Sequence, residues 1–266
     1  MHFICPLCHC GLVENTSGVS CASGHHFDRA KEGYLNLLPV QHKNSLAPGD
    51  AKAQLVARRQ FLNAGFFSGL LPDLQTLVPA STQRLLDIGC GEGYFTHALA
   101  GLLPKDASVY GIDIARDGVR MAAKAYGESY AVASAYALPL ATASMDVITR
   151  IYAPSDASEL KRVLAPGGRV IVVTPAEEHL LGLRQRIYKV VRPHPEPGLL
   201  EGFTSVEQQR ASFPLNIPAG ELSAALLKMT PFAWKMDESL QQQLIATGIQ
   251  DSADFYITVY VGESAQ

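Results

Sequence analysis

From residue 84 onward, apolar runs of strand length alternate with stretches of helical spacing. Residues 84–89, 108–113, 130–134, 145–152 and 168–174 predict strands, and 93–102, 116–126 and 156–164 predict helices between them. Such alternation calls for a parallel sheet covered by helices on both faces. Two further strand signals, Phe213 to Pro218 and Asp254 to Gly262, are separated by helical segments and predict an antiparallel edge. The chain before residue 84 reads differently. Residues 1–38 carry turn formers at Gly11, Asn15, Ser17, Gly18 and Gly24 and too few apolar residues to fold unaided, with a short strand and turn expected over 26–40. After a Pro48-Gly49-Asp50 turn, an Ala-, Leu- and Arg-bearing helix follows. The expected organisation is a small module at 1–38, a helical linker at 39–80 and an α/β domain at 81–266.

The first strand of that domain runs into Asp87-Ile88-Gly89-Cys90-Gly91-Glu92-Gly93. Glycines at alternate positions let backbone amides approach a ligand more closely than any Cβ would allow, and the helix opened by the turn favours polar or anionic atoms at its start. A nucleotide-like ligand follows. The spacing is not the G-x-G-x-x-G of dinucleotide sites. It resembles motif I of the class I S-adenosylmethionine (SAM) methyltransferases, which implies a Rossmann-like α/β fold and cofactor contacts from Asp87, Gly89, Gly91, Glu92 and Gly93. Asp113 ends the second strand 20 residues beyond Gly93, the spacing at which an acid meets ribose hydroxyls; a helix N-cap is its other reading. Ligands of such sheets lie outside the strand C-termini, which adds Ser134, Arg150 to Pro154 and Thr174 to His179.

Of five cysteines in 266 residues, four lie in the first 21. Cys5-x2-Cys8 and Cys21-x3-His25 make two halves of a tetrahedral zinc site, with Cys10 and His26 as competing ligands. Four protein ligands leave no open position, so the metal is structural. A disulfide is the alternative, disfavoured because no export signal is seen and a cytoplasmic chain is expected. No apolar run reaches 18 residues, so no membrane span is expected. Net charge is −3, yet residues 1–66 hold six Lys and Arg against four Asp and Glu, +2, leaving −5 for the rest. A polyanion would meet the N-terminal part first.

Several motifs together carry a closer resemblance: C-P-L-C (5–8), C-x3-H (21–25), F-D-x-A-K-E-G-Y-x-N-L-L (27–38), A-R-R-x-F-L-x-A-G (57–65) and D-I-G-C-G-E-G-Y (87–94). Along nearly the whole chain they resemble the RlmA family of ribosomal RNA guanine-N1 methyltransferases. The resemblance implies an N-terminal zinc ribbon on the RNA side, SAM and Zn2+ as cofactors, and a guanine in a hairpin of large-subunit (23S) RNA as substrate. It also places Phe67 and His179 against SAM. Self-association into a homodimer is a further expectation.

The residues narrow the acceptor independently. Carbon methylation of a pyrimidine usually needs a cysteine nucleophile, and outside the ribbon only Cys90 is present, in the glycine turn. Exocyclic amine methylation usually carries N/D-P-P-Y/F after the fourth strand, where this chain has Arg150-Ile151-Tyr152-Ala153-Pro154. A ring nitrogen or a hydroxyl oxygen remains, either reacting by direct transfer, and the resemblance selects guanine N1. Arg58 and Arg59 are candidate phosphate contacts, Tyr152 a stacking partner for the base, and Arg184, Arg186, Lys189 and Arg192 a further basic helix. No catalytic base is named. A small-molecule SAM methyltransferase with a structural ribbon and a catalytically silent RNA-binding module are the competing functions.

Overall fold

A computed structural model describes residues 2–39 and 49–263. Pro48 of the expected turn lies outside that range. The N-terminal module is a three-stranded antiparallel ribbon of β1 (Leu12–Glu14), β2 (Gly18–Cys21) and β3 (His26–Asp28). The rest is built on one eight-stranded sheet. Its strands are β4 (Leu35–Asn36), β5 (Arg84–Ile88), β6 (Ser108–Asp113), β7 (Ser129–Val132), β8 (Met145–Ile151), β9 (Leu164–Pro175), β10 (Phe203–Ile217) and β11 (Ile249–Gly262). The order is β10-β11-β9-β8-β5-β6-β7-β4, parallel from β4 to β9, with β11 antiparallel to both its neighbours.

The helices are α1 (Lys52–Asn63), α2 (Leu71–Leu77), α3 (Tyr94–Ala100), α4 (Arg116–Ala125), α5 (Ala157–Val163), α6 (Leu181–Ile187), α7 (Glu221–Met229) and α8 (Glu238–Thr247). Strand alternation sorts the core into two faces. Leu85, Ile171 and Val173 point to one, where residues of α1, α2, α3, α6, α7 and α8 cover them. Leu86, Ile88, Val170 and Val172 point to the other, covered by Leu160 and Val163 of α5 and by the ribbon residues Phe3, Leu12 and Val19. The ribbon is therefore part of the sheet's packing. Phe3 is buried edge-on against Tyr110, ring centroids 5.2 Å apart, and bridges to Leu140, while β4 extends the parallel sheet beside β7.

All the parallel strands and helices expected after residue 84 are present, with ends moved by a few residues. The largest difference is β10, which begins at Phe203 rather than Phe213. Thr204 to Gln208 are exposed on the sheet's edge, so that half of the strand has no buried side to write an apolar alternation. The strand β9 starts at Leu164 because Ala165 to Gly168 form an irregularity against β8, with Gly167 in the left-handed region.

Because Phe3 joins ribbon and sheet, Phe3→Ala should destabilise the whole chain by about 3–5 kcal/mol, the usual cost of emptying a buried aromatic position. Urea unfolding followed by circular dichroism and by zinc release should give coincident transitions, both shifted. Release of zinc well before the sheet unfolds would show the two to be energetically separate.

Candidate cofactor cavity and zinc centre

The turn after β5 is shaped by its three glycines in different ways. Gly89, Gly91 and Gly93 all take left-handed conformations, with φ of 73°, 54° and 89°. A Cβ on Gly89 would fall 2.3 Å from Cβ of Ala153, and one on Gly93 would fall 2.8 Å from Cβ of Ala122. Those two glycines permit close packing of protein on protein. A Cβ on Gly91 would meet only Nη1 of Arg58, at 3.6 Å, so the middle glycine is the one that faces open space. The amides of Gly89 and Cys90 donate to the Ile112 carbonyl at 2.8 and 3.0 Å, pinning the turn to the end of β6.

Asp113 completes that junction. Its Oδ2 accepts the Gly91 amide at 2.9 Å and its Oδ1 accepts the Ala115 amide, at the N-cap of α4, at 2.7 Å. Burial pushes its carboxyl up, and the two amides act against that shift. Asp113 is not itself the N-cap, which is Ala115; it anchors the start of α4 from two residues earlier and stands beside a cavity with lone pairs to spare. Below it, the buried Asp87 accepts Thr96 Oγ1 at 2.6 Å and Thr149 Oγ1 at 2.8 Å.

The cavity over the strand C-termini has a volume of about 660 Å³. Phe67, Asp87, Gly89, Gly91, Glu92, Asp113, Ser134 and His179, all expected at the cofactor, line it, as do Arg58 and Tyr152 from the substrate set. Gly93 and Arg59 are not among the lining residues. The Arg59 guanidinium instead donates to the carbonyls of Glu92 and Met121 at 3.0 and 2.8 Å, fastening α1 to the turn and to α4, while Arg58 pairs with Asp50 at 2.5 Å. Arg184 also departs from expectation. It is 4% exposed and donates to the carbonyls of Glu177, His179 and Arg192, so it braces the chain around α6 and is closed to phosphate. Arg186, Lys189 and Arg192 are exposed.

Tyr152 and His179 meet at the β8 and β9 end of the cavity. Nδ1 of His179 accepts the Asp254 amide at 3.3 Å, which assigns the ring proton to Nε2, 3.2 Å from the Tyr152 hydroxyl. Burial, and then His194, drive the His179 pKa down to about 3. The ring is neutral at physiological pH, as suits a neighbour of a sulfonium cation. Tyr152 has φ of 58°, an uncommon conformation for a bulky residue that costs about 1–2 kcal/mol and marks a constrained site. His194 and the Met229 to Phe232 segment also line the cavity. His194 was not legible in the sequence, since residues 191–200 have no regular secondary structure and no period to read, and Met229 to Phe232 runs off the end of α7 with no polar signature of a site.

These residues fit SAM. A nucleotide-sized cavity opens on a glycine turn, and Oε1 of Glu92 is buried on its wall without a hydrogen-bond partner, an acceptor waiting for a donor.

At the other end of the chain, the ligand atoms of Cys5, Cys8, Cys21 and His25 all lie within 4.8 Å of one another. Cys5 Sγ and Cys21 Sγ are each 3.4 Å from His25 Nδ1, and Cys8 Sγ is 3.5 Å from Cys21 Sγ. Bonds of about 2.3 Å to sulfur and 2.0–2.1 Å to nitrogen set tetrahedral zinc ligands roughly 3.5–3.8 Å apart. A disulfide would need about 2.05 Å. The two competing ligands lie outside this cluster: Cys10 Sγ is 3.8 Å from the Ser23 hydroxyl, and His26 pairs with Asp28 at 3.0 Å.

Burial above all lifts the Asp87 carboxyl from an ordinary value of 3.8 to about 6, although both threonines donate to it. The folded protein keeps this proton up to about pH 6, whereas the unfolded chain releases it near 3.8. Stability is therefore lost as pH rises between about 4 and 6, a deficit of about 3 kcal/mol that persists above. Asp87→Asn removes the ionisation. In urea unfolding of the cofactor-free protein at pH 4 and pH 7, the variant should lose about 2–3 kcal/mol less than wild type over that interval; equal losses would show that Asp87 ionises without penalty.

Comparison with known proteins agrees with this geometry. A family model described as RlmA, N-terminal, a zinc ribbon, matches residues 3–46, and one described as Methyltransferase domain matches residues 86–172. The 23S rRNA (guanine(748)-N(1))-methyltransferase of Streptomyces fradiae is 32% identical, with 88% of this chain and 86% of the relative covered. YxjB of Bacillus subtilis (strain 168) is 31% identical over 96% of both chains. A malonyl-[acyl-carrier protein] O-methyltransferase of Hahella chejuensis is 33% identical, but over only 39% of this chain and 40% of its own. Among solved structures, a chain of the complex between the Haloferax volcanii Trm112 methyltransferase activator and a methyltransferase shares the fold, with a TM-score of 0.54, 18% identity, and 80% of this chain and 97% of that chain covered. With a zinc ribbon packed on a class I SAM methyltransferase sheet and whole-length identity above 30%, the chain belongs to the RlmA family of 23S rRNA (guanine-N1)-methyltransferases.

Proposed function

We infer that this protein transfers the methyl group of SAM to N1 of a guanine in a hairpin of 23S ribosomal RNA, and that it does so in the cytoplasm. The observation that carries this reading is the length of the match: 88% of this chain aligns with a relative named for that reaction. The competing small-molecule reading draws on the acidic net charge and on the malonyl-carrier relative, whose similarity stops short of two fifths of this chain.

The side chains divide the work between the two ends of the cavity. Asp113, already holding two amides, has further lone pairs for the ribose hydroxyls, and the Gly91 backbone lets the cofactor approach. SAM supplies an electrophilic methyl group on a sulfonium, and the neutral His179 beside Phe67, with ring centroids 5.9 Å apart, adds no opposing charge. Tyr152, 46% exposed yet anchored through its hydroxyl to His179, offers a fixed ring face for the acceptor base. Arg58 lines the cavity from α1, which carries Lys52, Arg58 and Arg59 and no acid, so α1 rather than the ribbon is the basic element offered to a polyanion. N1 lies on the Watson–Crick edge, so the acceptor must be unpaired when it is modified.

Reverse transcription of 23S RNA should stop at the target in cells that carry the gene and read through in a deletion strain, and purified protein with SAM should restore the stop. Gly91→Val protein should fail to restore it, because a branched side chain at φ 54° both strains the turn and fills the cofactor's space. Unchanged N1-methylguanosine in the deletion strain, measured by nucleoside mass spectrometry, would refute the assignment.

A further inference from the structure

Guanine N1 bears a hydrogen at neutral pH, so its methylation must dispose of a proton as the new N–C bond forms. Most groups around the cavity that could take it are already engaged. Asp87 holds two threonine hydroxyls, Asp113 two amides, and Asp50 the Arg58 guanidinium. His179 uses one ring nitrogen on the Asp254 amide and the other on Tyr152. Glu92 has a free oxygen but sits within the glycine turn, at the cofactor end.

His194 is placed differently. Its Nε2 is fully buried without a hydrogen-bond partner, and its ring forms part of the cavity wall. The ring lies 6.3 Å from that of His179, which is bonded to Tyr152, so His194 belongs to the end of the cavity where the base would stack. The segment carrying it is held firmly despite having no regular structure. Pro193 and Pro195 flank the histidine and restrict its backbone to extended conformations, Arg184 grips the Arg192 carbonyl, and the Tyr260 hydroxyl donates to the Gly198 carbonyl at 2.8 Å. In the tautomer with the proton on Nδ1, Nε2 is an acceptor, and on a segment tied at both sides it is preorganised for one donor.

We propose that His194 Nε2 accepts the N1–H of the target guanine, first as the hydrogen bond that orients the base and then as the general base that removes the proton. This rests on the guanine-N1 reading above. As N1 bonds to the methyl carbon, the sulfur keeps the electron pair of the broken carbon–sulfur bond, the N1 proton passes to Nε2, and the imidazolium returns it to water once the product has left. The same acceptor selects guanine over adenine, whose N1 has no hydrogen and would set lone pair against lone pair. Burial, and then Arg184 of α6, hold the His194 pKa below its ordinary 6.5, against the pull of Asp254 on β11 and Glu177 before α6; His179 is uncharged. The basic form therefore predominates at pH 7 and is lost as pH falls through a value below 6.5.

The test measures single-turnover methylation of a 23S hairpin transcript from pH 6 to 9, with nucleoside mass spectrometry as readout, for wild type, His194→Ala and His194→Gln. SAM affinity by calorimetry and hairpin affinity in the presence of S-adenosylhomocysteine are measured in parallel. Wild type should be level above pH 6.5. Both variants should lose about 10²- to 10⁴-fold at pH 7, and their rates should climb about tenfold per pH unit as spontaneous loss of the N1 proton takes over. SAM affinity should stay within about twofold, and the Gln variant, which keeps an acceptor oxygen, should bind the hairpin better than the Ala variant. Variant profiles running parallel to wild type, or a loss confined to SAM or RNA affinity, would overturn the role of His194. Should the Ala variant fail to fold, as judged by lost SAM binding, the Gln variant decides by the same criteria. Wild-type product methylated elsewhere than N1 would instead overturn the guanine-N1 reading and this inference with it.

Discussion

The Asp113 carboxylate accepts the Gly91 amide on one oxygen and the Ala115 amide on the other, and the cavity depends on that pair of bonds. They join the ends of β5 and β6, fix a left-handed glycine facing open space, and set the start of α4. Hydrogen bonds to a charged acceptor contribute about 1.5–3 kcal/mol each, enough to hold a turn that would otherwise have several conformations. Arg59 supports the same turn from outside through the Glu92 and Met121 carbonyls. At the far wall a second fixed unit, Asp254–His179–Tyr152, holds an aromatic ring in a conformation bulky residues seldom adopt. Between two rigid ends lies a space whose lining includes Glu92 and His194, each with a buried side-chain atom that has no hydrogen-bond partner.

The zinc ribbon belongs to this architecture rather than hanging from it. With α5 it covers one face of the central sheet, and β4 extends the sheet just beyond it in sequence. The metal thus stabilises a surface against which Leu86, Ile88 and Tyr110 pack. Ribbon and cavity approach each other at Tyr136, which is 61% exposed, lines the cavity, and also lines a cleft with Pro6 and His9 of the ribbon. An RNA strand entering the cavity by that side would pass the ribbon on its way.

What the chain's sequence disclosed follows from where pattern and chemistry are forced. Strands buried on both faces must be apolar throughout, so β5, β6 and β8 were legible, and four ligands at zinc spacing have few other uses. The half of β10 on the exposed edge has no such obligation, and two residues of β4 are too few to show a period. Charge is visible in a sequence but direction is not: Arg58 reaches the cavity, while its neighbour Arg59 and the buried Arg184 turn to backbone carbonyls. Gly93 was legible as a required glycine, and the structure adds that Ala122 of α4 lies where its side chain would be. His194 left no trace, because its place is set by prolines and by contacts from α6 and β11 far along the chain.

The central claim is that one carboxylate both builds the cofactor site and serves it. Calorimetric titration of SAM into Asp113→Asn protein tests this most directly, since the amide side chain keeps shape and size but turns an N–H toward one of the two backbone donors. The account predicts SAM binding weaker by about tenfold to over a hundredfold, corresponding to about 1.5–3 kcal/mol, with zinc content unchanged. A dissociation constant within twofold of wild type would contradict it.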